Sequence, residues 1–261
     1  MPELKSEGIC LYCKEKFLKA TINRHLQKHL AEKVKDNKPG KSFLLNVGSS
    51  PKWESSPYFL SLWVDGEATF GDIDDFLRRI WLECCGHMSS FTNPKNKRKG
   101  AMWNFFEAEE LLMKGKTNDY EKMMEDANGE IPFGRKIKAA LEKKMKIDYD
   151  YDLGSTTTLQ LTVIDEYPVK ADKKIVLLSR NEPLEILCEN CGKEPAVQIC
   201  SVCIGYEKNS FCKKCAKLHA KTCPDFADYA AMPVVNSPRM GVCAYEGGTI
   251  DIERDSVYKK R

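Results

Sequence analysis

The stretch "CENCGKEPAVQICSVCIGYEKNSFCKKCAKLHAKTC", residues 188–223, constrains the fold more than any other part of this 261-residue chain. It carries eight soft donors: Cys188, Cys191, Cys200, Cys203, Cys212, Cys215, His219 and Cys223. Successive CxxC pairs stand eight residues apart, a regularity that chance does not explain. Thiolate and imidazole together select a tetrahedral zinc ion, and eight donors complete two such shells. The segment has few large apolar side chains, so its stability has to come from elsewhere. Structural zinc supplies roughly 10 kcal/mol or more of apparent folding free energy to a short segment. Cys215, His219 and Cys223 are four residues apart and predict a short helix with all three on one side. The favoured pairing is crossed: Cys188, Cys191, Cys212 and Cys215 on one ion, and Cys200, Cys203, His219 and Cys223 on the other. Sequential pairing, first four then last four, is the alternative.

A third set of donors lies at the start of the chain, in "CLYCKEKFLKATINRHLQKH". Cys10 and Cys13 form a CxxC knuckle. After a spacer of eleven residues, His25 and His29 stand four apart, which puts both imidazoles on one face of a helix. Phe17 and Ile22 supply a small core between hairpin and helix. In both regions four protein ligands close each shell, whereas a catalytic zinc keeps a position open for water. The expected cofactor is therefore three structural zinc ions. Twelve cysteines point the same way if the protein resides in a reducing compartment. That is the expectation here: no run nears the ~18 apolar residues of a membrane helix, and "MPELKSEG" has no signal-peptide core. A cytoplasmic protein is predicted, with no membrane partner.

Charge is uneven. Residues 1–41 hold ten Lys/Arg against five Asp/Glu, a local +5 in a chain whose net charge is +3. A basic leading segment can sit on an anionic partner, and a solvated terminus is the plainer reading. On a nucleic-acid-reading finger the base-reading positions would fall near Leu18, Thr21 and Arg24, of which Arg24 alone is a strong base reader. Arg24 and Lys28, with Lys97 and Arg98 of the basic stretch "NPKNKRKG", are the candidate nucleic-acid contacts. A single finger buries little surface, which argues against sequence-specific binding by it alone.

Between the donor-rich ends, "YFLSLWVDG" predicts a strand ending in an Asp-Gly turn, and "TFGDIDDFLRRIWLECCG" a helix. Thr69 and Asp72 form a capping-box pattern at its start, and Gly86 stands where a left-handed stop is expected. A polar helical region follows from about 117 to 146. Leu159, Leu161 and Val163 alternate with Gln160 and Thr162, as in a half-buried strand, and "KKIVLLS" predicts another. Helices and strands without a repeating unit predict an α+β fold with an antiparallel sheet. The expected organisation is a ββα zinc finger over 1–35, a linker over 36–57, the α+β domain over 58–182, a two-zinc cysteine-rich module over 183–227, and a tail over 228–261 packing on the α+β domain.

Cys84, Cys85 and His87 in "IWLECCGHMSSF" are a separate question. Adjacent residues on a helix point about 100° apart, so the two thiols would not face one metal. Cys84 continues the apolar stripe, and His87 is free to cap the last helical carbonyls. A helix C-terminus has the wrong dipole sign to stabilise a thiolate. Packing is the expected role, ahead of a reactive thiol and of a further metal site.

Four motifs in order, "DDFLRRIWLECCGHMSSF", "YDYDLGSTTTLQLTVIDEY", "LLSRNEP" and "MPVVNSPRMGVCAY", resemble the plasmid Ri ORF-three-like family, whose members often bear an insertion-element passenger or resolvase-like label. The likeness spans about residues 55–247. It implies an α+β main domain with a cysteine-rich insertion before the last motif, and no particular activity. Where many relatives carry Phe, Asp, Trp and His, this chain has Leu153, Ser155, Thr157 and Leu159, so an acid–base site built on those groups is absent. No serine or tyrosine stands in a recombinase-like setting. Arg239 could hold an anion, but a turn docking Val242, Cys243 and Tyr245 into the core is favoured. The N-terminal set resembles a two-Cys two-His zinc finger whose central spacer is one residue short. The second cluster resembles cross-braced, treble-clef-like MYND or B-box modules. These features imply a non-enzymatic interaction or adaptor protein with a protein partner. Nucleic-acid binding, in a role linked to mobile elements, is the alternative, and a thiol enzyme using Cys84 or Cys85 comes third.

Overall fold

The computed structural model describes residues 6–49, 56–95 and 105–259. The fold is built on a seven-stranded sheet in which every neighbouring pair is antiparallel. Its strands are β3 (Pro39–Ser49), β4 (Phe59–Asp65), β5 (Ser89–Thr92), β6 (Glu130–Ile131), β7 (Lys146–Tyr151), β8 (Thr157–Val169) and β9 (Ile175–Arg180), in the order β6-β5-β7-β8-β3-β4-β9. Outside it, β1 (Glu7–Ile9) and β2 (Lys16–Leu18) form a hairpin. A small three-stranded sheet joins β10 (Gln198–Cys200), β11 (Ser210–Phe211) and β12 (Ala231–Pro233) in the order β11-β10-β12. Among the described residues, no helix is long and apolar enough to cross a membrane.

The linker expected over 36–57 is a correction. Its apolar run forms β3, a central strand bonded to β4 on one side and β8 on the other. Read locally, "SFLLNV" is one short apolar run interrupted by Gly, Pro and Ser, because its burial depends on partners distant in sequence. Strand alternation then divides the side chains of β3 and β4 between two cores. Phe43, Leu45, Val47, Leu60, Leu62 and Val64 face one side, and Leu44, Phe59 and Trp63 the other. All seven residues of β4 are buried because both faces are covered.

Each face has its own helix. Helix α1 (Lys19–Lys33) lies on one, where Ile22, Leu26 and Leu30 pack against Leu44, Phe59, Trp63, Tyr167 and Leu178. Two polar pairs lie on that face: Ser61 Oγ donates to Asn23 Oδ1 at 2.8 Å, and Trp63 Nε1 to Ser42 Oγ at 2.9 Å. Helix α2 (Phe70–Leu77) covers the other face through Phe70, Ile73 and Leu77. It starts at Thr69 with both halves of the capping box formed, as its sequence predicts. The leading donor set is thus not a detached module. Gly8 of β1 lies so close to β9 that an added Cβ would meet Phe59 and the Arg180 carbonyl within 3 Å.

The helix predicted through Cys84 stops earlier. After α2 the chain makes a π-helical turn over Arg78–Leu82, and Glu83 is already extended. The tail ends the turn. Thr249 N–H donates to the Arg79 carbonyl at 2.7 Å, and Ser237 Oγ to the Trp81 carbonyl at 2.7 Å. These long-range partners satisfy carbonyls that a local glycine cap would otherwise serve. Gly86 does adopt a left-handed φ of 73°, but in a loop. The helical region expected over 117–146 is also shorter. Helix α3 spans Phe105–Met113, α4 Thr117–Asn128 and α5 Ile137–Ala140, with β6 between the last two.

Residues 231–259 return to the sheet. Arg180 of β9, fully buried, pairs with Asp255 at 3.0 Å and Asp251 at 3.1 Å, and Asn181 bonds Asn236. Burial raises the Asp255 carboxyl above its ordinary range, against the pull of that guanidinium. Asp255 lies in α7 (Ile252–Lys259), whose Tyr258 donates to the Leu184 carbonyl.

Candidate metal centres

Among the described residues, four groups of side chains place their sulfur and nitrogen atoms within 4.8 Å of one another, and each can hold a metal ion. For Zn–S near 2.3 Å and Zn–N near 2.0–2.1 Å, a regular tetrahedron sets its donor atoms about 3.3–3.8 Å apart. The closest donor pairs in three of the groups are 3.1 to 3.7 Å apart.

Cys10, Cys13, His25 and His29 form the first group. The knuckle is a tight turn after β1, with Lys14 N–H donating to the Cys10 carbonyl and Lys14 at φ 65°. Helix α1 begins at Lys19, directly after β2, and this early start absorbs the short spacer. His25 Nε2 lies 3.2 Å from Cys13 Sγ and 3.1 Å from His29 Nε2. Phe17 stacks on the His25 ring at 3.9 Å between centroids. Cys10 is fully buried and Cys13 exposed, so the group sits at the rim of the α1 core.

The eight donors of 188–223 fall into two interleaved groups. Cys188, Cys191, Cys212 and Cys215 form one, and Cys200, Cys203, His219 and Cys223 the other. Helix α6 (Lys213–His219) serves both, presenting Cys215 to the first group and His219 to the second, with Cys212 at its N-cap. Gly192, at φ 65°, donates its N–H to the Cys188 carbonyl and closes the first knuckle. Asn190 Nδ2 donates to Cys215 Sγ at 3.3 Å. In the second group Cys203 Sγ and His219 Nε2 are 3.7 Å apart, and the His219 ring stacks on Phe211. The hydrophobic cluster around these groups is mostly the donors themselves, with Phe211 and Phe226 as its large apolar members.

The fourth group was not expected. Cys84, Cys85 and His87 meet Cys243, which comes from the tail about 160 residues later. Cys84 does pack against the main core, as predicted. Cys85 is exposed, so packing does not describe it. The premise that separated the two thiols, a common helix, fails because the helix has ended by Glu83. His87 does not cap helical carbonyls: its Nε2 lies 3.2 Å from both Cys85 Sγ and Cys243 Sγ. Of the docking residues expected beside Arg239, Tyr245 is fully buried while Cys243 turns to this group. Arg239 is turned inward. It is fully buried and donates to Asp152, Thr157 Oγ1 and the Ser155 carbonyl. Its guanidinium holds the Asp152 carboxyl down at about 2. Sequence separation hid this group, and the only local signal was the Cys-Cys-Gly-His string itself.

Among the candidate nucleic-acid contacts, Arg24 and Lys28 are exposed on the outward side of α1, with Thr21 in the same stripe. Lys97 and Arg98 lie outside the described residues.

No protein-family model matches the chain, and no curated protein matches it. Among solved structures it is similar to a protein of unknown function from Methanosarcina mazei Go1, at 14% identity over 53% of this chain and 67% of that one, with a TM-score of 0.34.

Proposed function

We propose that this is a zinc-braced interaction protein. In this reading the groups at Cys10/Cys13/His25/His29, Cys188/Cys191/Cys212/Cys215 and Cys200/Cys203/His219/Cys223 each hold one structural zinc ion. The observation that carries it is the convergence of four soft donors in each group within 4.8 Å. Four protein ligands leave no coordination position for a substrate, so the ions brace the chain and perform no chemistry. The braced segment at 188–223 presents exposed apolar side chains, Val202, Ile204, Tyr206 and Leu218, beside its knuckles and helix. Such side chains suit contact with another protein. The reading includes a cytoplasmic location, where thiols stay reduced and available to metal, and membership of the plasmid Ri ORF-three-like family.

Two measurements test it. Full-length protein treated with a strong chelator should release zinc from all three groups and expose the amides of 188–223 to rapid hydrogen exchange. Capture of a protein partner from lysate should survive nuclease and be lost when Tyr206 and Leu218 are replaced by serine. Exchangeable water on any of the ions would defeat the structural assignment.

Nucleic-acid binding is the second reading, favoured by the outward stripe of Arg24 and Lys28. It predicts DNA or RNA affinity that falls steeply with salt and is weakened by R24A with K28A. The third reading, a thiol enzyme using Cys84 or Cys85, requires one of these sulfurs to react selectively with a mild alkylating agent in the zinc-loaded protein.

A further inference from the structure

We propose that Cys84, Cys85, His87 and Cys243 form a fourth zinc site, of Cys3His type, which latches the C-terminal segment onto the main sheet. This goes beyond the three-zinc reading above and rests on separate residues.

The first argument is convergence. The four donor atoms lie within 4.8 Å of one another, with Cys84 and Cys85 Sγ 3.6 Å apart and Cys85 and Cys243 Sγ 3.3 Å apart. Three of these residues follow the π-helical turn, and the fourth lies in the tail segment that terminates that turn. Ser237 and Thr249, which cap the turn's carbonyls, flank Cys243 on either side. The latch therefore sits where the tail already meets the sheet domain.

The second argument is backbone geometry. Gly86 sits at φ 73°, turning the chain between Cys85 and His87 so that both reach one point. Cys243 and Ala244 are both non-glycine residues at φ 43°. Two consecutive left-handed residues with side chains persist only where surrounding contacts over-determine them, and a metal bond at Cys243 supplies that constraint.

The third argument is the group behind the histidine. His87 turns Nε2 to the sulfurs and Nδ1 toward Asp152 Oδ1, at 3.6 Å. The other oxygen of Asp152 is held by Arg239 at 2.7 Å. At that distance the carboxylate acts as a charge behind the non-coordinating ring nitrogen, favouring the tautomer whose proton faces it and leaving Nε2 free to coordinate. Arg239 also reaches Cys84 Sγ at 3.5 Å. Three thiolates and one imidazole around Zn²⁺ leave a net −1; Arg239 and Asp152 neutralise each other, and the guanidinium N–H directed at Cys84 Sγ favours the thiolate there. Packing alone does not account for two thiols and an imidazole gathered at the surface, with Cys85 exposed.

Native mass spectrometry with elemental analysis of the full chain, purified with excess zinc under reducing conditions, tests the site. Four zinc ions per chain are expected in the wild type and three in C243S. A wild-type count of three overturns the fourth site and leaves the three-zinc reading standing; a count of none removes both. Four ions in C243S also overturn it, because the extra metal is then bound elsewhere. If C243S does not fold, alkylation mapping of the wild type decides. Cys84, Cys85 and Cys243 should be protected together in the zinc-loaded protein and become reactive together after chelation. Modification of Cys85 and Cys243 in the loaded protein at the rate of free thiols overturns the proposal.

Discussion

The donor group on α1 and the pair of groups at 188–223 use the same chemistry on different foundations. Around the first, Ile22, Leu26 and Leu30 bury their side chains against Leu44, Phe59, Trp63 and Leu178 of the large sheet. Around the second, the buried cluster is four cysteines, two phenylalanines and two alanines, with three more cysteines and an alanine packed against it. A helix anchored by an apolar face retains part of its structure without a metal, whereas a segment whose core is largely its own ligand set has little else to bury. Equal donor counts per ion therefore do not mean equal dependence on metal.

The largest effect expected from this difference is on chelation. Removing metal should abolish amide protection across 188–223 while β3, β4 and β8 keep theirs, as read by hydrogen exchange with mass spectrometry. Equal loss in both regions would break the comparison. Single donor substitutions sharpen it. C215S should unfold the 188–223 segment, at a cost approaching the ~10 kcal/mol that a structural zinc supplies. C10S should lose one ion yet keep α1 on the sheet, seen as retained protection of Leu26 and Leu30. Conversely, Leu26→Ala should cost about 2–5 kcal/mol in denaturant unfolding, because it opens a cavity in a fully buried interface. The same measurement on Thr69→Ala should give about 1 kcal/mol, the loss of one helix cap remote from either region. Smallest of all, R24A with K28A should leave stability within about 0.5 kcal/mol of wild type, since both side chains are exposed.

Much of the local structure was legible in the residues. The Thr69–Asp72 pair announces the start of α2, and the alternation of Leu159, Leu161 and Val163 announces β8. Donor spacing was equally readable, since CxxC knuckles and i,i+4 histidines bring ligands together within a few turns of chain. The strand Pro39–Ser49 was not readable. Its register with β4 and β8 gives it meaning, and those partners lie far away in sequence. The helix end was misplaced for the same reason: Ser237 and Thr249 cap it from the other end of the chain.

The sequence by itself determined which side chains can bind soft metal and which short segments become helix or strand, because both follow from spacings of two to four residues along one chain. Tertiary structure alone decided that α1 belongs to the sheet, that 39–49 is a central strand, and that Cys243 meets Cys84, Cys85 and His87. Those outcomes require segments up to about 160 residues apart to bury common surface, and no local spacing encodes which distant surface will be met.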